Sequence, residues 1–173
     1  MIRKATAADL PEIERVMRLS MGALSEGFYD AEQTASAVRY IAEPDRQLVD
    51  DGTYFVVVEE GRVVACGGWS KRKKLFTGTA VQATVEGVLD PATEPARIRA
   101  MFVDPAYKRR GLGRLILQAS EADARDAGFT AFELMATLPG VPLYEVCGYE
   151  EIETTEIELP DGRRLGTVLM RKQ

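Results

Sequence analysis

Between Asp104-Pro105 and an apolar run that opens at Leu112, the chain reads Ala106-Tyr107-Lys108-Arg109-Arg110-Gly111-Leu112-Gly113-Arg114. Lys108, Arg109, Arg110 and Arg114 crowd cations into a short turn, and Gly111 and Gly113 let an anion come close to the main chain. If a helix begins here, its first amides lack partners inside the helix and carry the positive end of its dipole, which is where phosphate oxygens bind. The chemistry indicated is capture of a diphosphate, the alternative being a solvated basic turn with a glycine start to an ordinary helix. A dinucleotide fingerprint would need a third glycine where Ile116 stands, and a triphosphate loop would need glycine, four residues, then Gly-Lys-Ser or Gly-Lys-Thr, a string absent from the sequence.

Other chemistry is narrowed by what the chain contains. It has no histidine, which removes Ser-His-Asp and Cys-His nucleophile pairs and any histidine base. Cys66 and Cys147 are far apart and in no Cys-x-x-Cys spacing, so neither a disulfide framework nor a metal site is expected. A formal charge of −5 argues against a general nucleic-acid binder. Lys71-Arg72-Lys73-Lys74 is a second basic cluster, read as a solvated loop with a phosphate contact as the alternative. No signal-peptide run follows Met1, and no stretch approaches a membrane span, so a cytoplasmic protein is the expectation.

These residues need a scaffold. With 173 residues, 46% of them hydrophobic, the chain is expected to form a single domain over 1–173. A strand over 98–103, stopped by Asp104-Pro105, leads into the basic turn. The helix after it carries apolar residues at Leu112, Leu115, Ile116, Ala119 and Ala122, and Gly128 ends it. Earlier, a strand over 2–5 precedes a helix capped at Thr6-Ala7-Ala8-Asp9, with Leu10, Ile13, Met17 and Met21 on one face. A second helix is expected over 30–41, and strands over 54–59 and 62–69 form a hairpin across Glu60-Gly61. After a long loop over 70–95, the central strand and helix lead to a strand over 131–136, a short helix over 139–146 and two strands turning at Pro160-Asp161-Gly162. The result is a mixed α/β sheet with helices on both faces.

Lys108-Arg109-Arg110-Gly111-Leu112-Gly113 resembles the signature of the GCN5-related N-acetyltransferases: Arg or Gln, two residues, Gly, one residue, then Gly or Ala. Lys108 departs from it, keeping the charge but not the planar fork. Phe102-Val103-Asp104-Pro105-Ala106-Tyr107 is similar to the end of that family's fourth strand, and Leu143-Tyr144-Glu145-Val146-Cys147-Gly148-Tyr149 to its Tyr-Glu-x-x-Gly-Phe segment. The resemblance runs over essentially the whole chain and implies the acyl-CoA N-acyltransferase (GNAT) fold, three-layered around a splayed central mixed sheet. It implies acetyl-CoA as cosubstrate, with Met101, Phe102 and Val103 beside the pantetheine, and Lys108, Arg109, Arg110, Gly111, Leu112, Gly113 and Arg114 around the diphosphate. It makes Tyr144 the acid that protonates the departing thiolate, and leaves Tyr149 to packing.

The resemblance also implies transfer to a small-molecule or peptide amine, with a homodimer admissible. The general base stays open among Glu133, Glu86, Asp90 and water, and the Asn often found before the tyrosine helix is replaced by Pro139. For the acceptor, Arg97 and Arg99, Phe28-Tyr29 and Tyr40 are candidates beside structural roles. Two further readings remain: a CoA-sensing module without catalysis, and a nucleotide enzyme on a doubly wound sheet.

Overall fold

The computed structural model describes residues 1–75 and 87–173, so Glu86 and part of the long loop lie outside the described residues. Strand β1 (Ile2–Lys4) leads to Thr6, whose amide and hydroxyl both donate to the Asp9 carboxylate at the start of helix α1 (Leu10–Leu24). Helix α2 (Ala31–Tyr40) is capped reciprocally: Asp30 accepts from the Gln33 amide at 2.7 Å, and Gln33 accepts from the Asp30 amide at 3.0 Å. A short helix not expected from the sequence, α3 (Arg46–Asp50), follows. Strands β2 (Tyr54–Glu59) and β3 (Arg62–Ser70) are the anticipated hairpin, with Glu60 and Gly61 both left-handed, as a two-residue turn requires. Then come β4 (Ala96–Val103), α4 (Leu112–Asp126), β5 (Phe132–Thr137), α5 (Val141–Val146), β6 (Glu150–Glu158) and β7 (Arg164–Lys172).

The strands form one seven-stranded sheet in the order β1-β2-β3-β4-β5-β7-β6. Every pair is antiparallel except β4 with β5. One parallel pair within an antiparallel sheet is not a doubly wound sheet, so the nucleotide-enzyme reading loses its scaffold. Alternation along β2 divides the interior: Phe55 and Val57 join the core under α4, while Tyr54 and Val56 join the core under α1 and α2. Helices thus cover both faces of the sheet. At its far edge β6 exposes Glu150, Glu151, Glu153, Glu156 and Glu158, charges that discourage another strand from adding there.

The apolar stripe of α4 differs from the expected one. Leu112, Ile116, Leu117, Ser120, Glu121 and Ala124 face inward, whereas Leu115 is 40% exposed and Ala122 lies on the surface. The cause is Glu121, a charge on the buried face. It accepts from Lys172 Nζ at 2.9 and 3.1 Å, from the Tyr149 hydroxyl at 3.0 Å and from Arg125 at 3.3 Å. These bonds fasten α4 to the last strand. Glu121→Ala is expected to cost about 2 kcal/mol of unfolding free energy, because the buried Tyr149 hydroxyl loses its acceptor. A lower urea midpoint at unchanged slope would show it; an unchanged midpoint would mean that the network is dispensable.

Candidate active site

The site starts where the sheet comes apart. β4 and β5 pair at Ala96 with Phe132 and Arg97 with Glu133; beyond these, β4 has no strand partner on its β5 side among the described residues, while β5 continues to pair with β7 as far as Thr137. Two features of β4 prepare this divergence. Ala100 takes a left-handed φ of 54°, and the register against β3 shifts between Cys66 and Gly68. The bulge is pinned by the Tyr54 hydroxyl, which donates to the Ala100 carbonyl at 2.7 Å. Gly67 lies opposite, where any side chain would run into Met101 and Ile116.

At its end β4 is held from two sides. The Asp104 amide donates to the Val64 carbonyl at 2.8 Å, and its carboxylate accepts from the Ala106 amide at 3.0 Å and from Arg15 of α1 at 3.1 Å. Residues Pro105–Tyr107 make one 3-10 turn. Arg109 and Gly111 then take left-handed φ values of 61° and 76°, and Gly111 caps α4 with no side chain. The amides of residues 111–114 make no hydrogen bond to any described residue, so the helix entrance presents its donors outward. Lys108, Arg109, Arg110 and Arg114 are all exposed around it. Arg110 stacks on Tyr107 and reaches Glu59 at 3.2 Å.

A cavity of about 170 Å³ runs from this entrance into the gap. Met101, Phe102, Val103, Gly113 and Tyr144, all expected from sequence, line it together with Ser20, Met21 and Leu24 of α1 and Thr137, Pro139, Gly140 and Leu143. Leu112 differs: its side chain is buried in the core, and only its amide reaches the entrance. Gly113 lets α4 approach α5, since a Cβ there would stand 2.9 Å from Leu143. Gly140 leaves room for Tyr144, whose ring would meet a Cβ at 3.2 Å.

Tyr144 is buried, in edge contact with Tyr149 at 5.8 Å, and its hydroxyl bonds to no described residue. Burial pushes it well above the ordinary tyrosine range, with a smaller contribution from Cys147. It therefore stays a proton donor at any working pH. Cys66 also faces the cavity; burial pushes its thiol up to about 12, so it remains a thiol.

The remaining candidates lie elsewhere. Glu133 is buried, not solvated: it pairs with Arg97 across the two strands and with Arg171 at 3.3 Å. Arg99 is 2% exposed and bonded to Asp45 at 2.9 Å, because β4 is central in the sheet rather than an edge. Asp90 receives the Ala92 amide in a turn. In the basic loop Arg72 pairs with Asp51 and Lys73 with Glu94. Phe28 is exposed, while the Tyr29 hydroxyl donates to Gly166 O at 2.7 Å and accepts from the Leu138 amide at 2.9 Å, clamping the wall of the cavity without lining it. Ser20 and Thr137 were not expected. The available signal was a serine on the apolar face of α1, beside Met17 and Met21.

An open mixed sheet, parted at its one parallel pair before a helix with free amides, is the acyl-CoA N-acyltransferase fold. The chain belongs to the Acetyltransferase (GNAT) family, whose sequence profile matches residues 13–149. A GCN5-related N-acetyltransferase from Rhodopseudomonas palustris superposes with a TM-score of 0.76 at 17% identity, covering 100% of this chain and 94% of that one. The PaiA N-acetyltransferase of Thermoplasma acidophilum, solved with coenzyme A, gives 0.67 at 15% identity over 100% and 98% of the chains. YncA of Salmonella typhimurium, solved with acetyl-CoA, gives 0.65 at 17% identity over 100% and 92%. No curated protein matches the chain. Among the described residues no helix is long and apolar enough to cross a membrane.

Proposed function

We propose that residues 1–173 form one domain that transfers an acetyl group from acetyl-CoA directly to an amine. The observation that carries this reading is the gap itself. The β5-facing edge of residues 101–103, which meets no strand among the described residues, can offer donors and acceptors to an extended, amide-bearing chain, and the gap leads from the helix entrance of α4 to Tyr144. The residues present fit the cosubstrate: Gly111, Gly113, Lys108, Arg109, Arg110 and Arg114 would hold its diphosphate, with the amide of Leu112 at the helix start, and Met101, Phe102 and Val103 its pantetheine arm.

Acetyl-CoA brings a carbonyl carbon activated as a thioester. The amine nitrogen bonds that carbon as the carbon–sulfur bond breaks. Tyr144 gives its proton to the departing thiolate, and the proton shed by nitrogen leaves through water and restores Tyr144. Ser20 and Thr137, whose hydroxyls bond to no described residue, line the same cavity and can hold that water.

The deciding experiment saturates the purified protein with acetyl-CoA and follows free thiol over an amine panel. Turnover supports transfer; tight acetyl-CoA binding with no thiol released by any amine would favour a sensing role. Cys66 separates direct transfer from an acyl-enzyme route. Cys66→Ala is expected to keep kcat within about threefold of wild type, since a thiol held protonated is no nucleophile. A hundredfold loss, with an acetyl adduct on the wild-type protein by intact mass, would overturn direct transfer.

A further inference from the structure

A buried hydroxyl without a partner costs free energy, so a place where the fold tolerates one is informative. Among the described residues the other buried serines and threonines are satisfied. Ser25 and Ser120 turn back to the carbonyls of Met21 at 2.6 Å and Ile116 at 2.8 Å, and Ser36 donates to Asp161 at 2.8 Å. Ser70 accepts from the Arg72 amide at 3.0 Å, and Thr53 and Thr167 each reach a carbonyl at 3.4 Å. Ser20 is 5% exposed and bonds to no described residue, although the Val16 carbonyl lies one turn behind it on α1. Its side chain instead lines the cavity that runs from the α4 entrance, together with Met101, Phe102 and Val103 of β4. Arg15 of α1 bonds Asp104 at the end of β4; Ser20 lies about 7.5 Å further along the helix, and Met101 and Phe102 about 7–10 Å back along the strand. The hydroxyl is thus level with the open edge of the strand.

A second cavity, of about 60 Å³ and lined among others by Ile41, Leu75 and Met135, adjoins the first at Met21 and Tyr144, and Ser20 is not part of its lining. Ser20 therefore stands on the side where the cosubstrate enters. A carbonyl oxygen has two lone pairs, so one that bonds the free edge of β4 keeps a second for a donor across the cavity. We propose, on the basis of the transfer reading above, that the Ser20 hydroxyl donates a hydrogen bond to a carbonyl oxygen of the acyl-pantetheine arm. Thr137 is then left to hold the water that carries the proton. A Cβ at Gly140 would stand 3.7 Å from the Thr137 hydroxyl oxygen and 3.2 Å from the Tyr144 ring, which puts Thr137 on the side of the departing thiolate. The arm carries two kinds of carbonyl, with different consequences. A bond to the thioester oxygen strengthens as that oxygen gains charge in the tetrahedral intermediate, whereas a bond to an amide is the same in CoA and acetyl-CoA and contributes to binding alone.

The test is Ser20→Ala in the full chain, read by calorimetry with CoA and with acetyl-CoA, by thiol release with the most active amine of the panel, and by urea unfolding. Donation to an amide carbonyl predicts that CoA and acetyl-CoA both bind about three- to tenfold more weakly. Donation to the thioester predicts unchanged CoA affinity and a kcat about 100-fold lower. In both cases the urea midpoint should be unchanged or raised, because the hydroxyl has no protein partner to lose and alanine is the better helix former. Wild-type affinity for both ligands, with kcat within about twofold, would overturn the assignment of Ser20 while leaving the transfer reading intact. A lowered urea midpoint would also overturn it, since the hydroxyl would then serve the fold. A wild-type protein that binds neither ligand, or releases thiol with no amine, would refute the transfer reading itself, and the assignment of Ser20 with it.

Discussion

Gly111→Glu should abolish acetyl-CoA binding by calorimetry, a loss of at least about 100-fold, or about 2.7 kcal/mol, while leaving a folded protein. Gly111 is exposed, and no atom lies within 4 Å of where its Cβ would stand, so sterics do not forbid a side chain. Its φ of 76° does resist one, at a cost of roughly 1–2 kcal/mol for an L-residue. A carboxylate at the start of α4 interacts favourably with the helix dipole, which protects the fold. The same carboxylate competes for the free amides of residues 111–114 and repels a diphosphate. Gly111→Ala separates the two effects, since it carries the backbone strain without the charge and should lose far less affinity. Wild-type affinity in Gly111→Glu would place the diphosphate somewhere else.

Tyr144→Phe addresses the chemical step. Removing a positioned acid is expected to lower kcat about 100-fold or more. Acetyl-CoA affinity should stay within about twofold of wild type, because the ring and its edge contact with Tyr149 remain. The hydroxyl has no described structural partner, so its loss leaves no orphaned donor or acceptor to destabilise the fold. If kcat is unchanged, the thiolate takes its proton from water and Tyr144 is only part of the wall.

The shape of the turn at residues 108–114 was legible because it is set by local chemistry: glycine conformations, a helix start and charges adjacent in sequence. The hairpin at Glu60-Gly61 was legible for the same reason. The buried face of α4 was not. A glutamate ordinarily marks the solvent side, and Lys172 and Tyr149, remote in sequence, make Glu121 an interior residue. The pairing of Glu133 was hidden in the same way, since Arg97 and Arg171 reach it only once three strands are side by side. The linings of the two cavities were hidden more deeply. Ser20, Ile41, Leu75 and Met135 come from four separate elements or loops, and no spacing along the chain announces their meeting.

The two residue pairs that join β4 to β5 have a mechanical meaning. They divide the sheet into two halves, β1 to β4 and β5 to β7, joined at a narrow seam, with side chains such as Tyr29 holding the second half from outside the sheet. A ligand whose own amides bridge that seam completes the missing ladder. Occupancy and rigidity would then rise together, and the loaded protein would behave as a single continuous sheet.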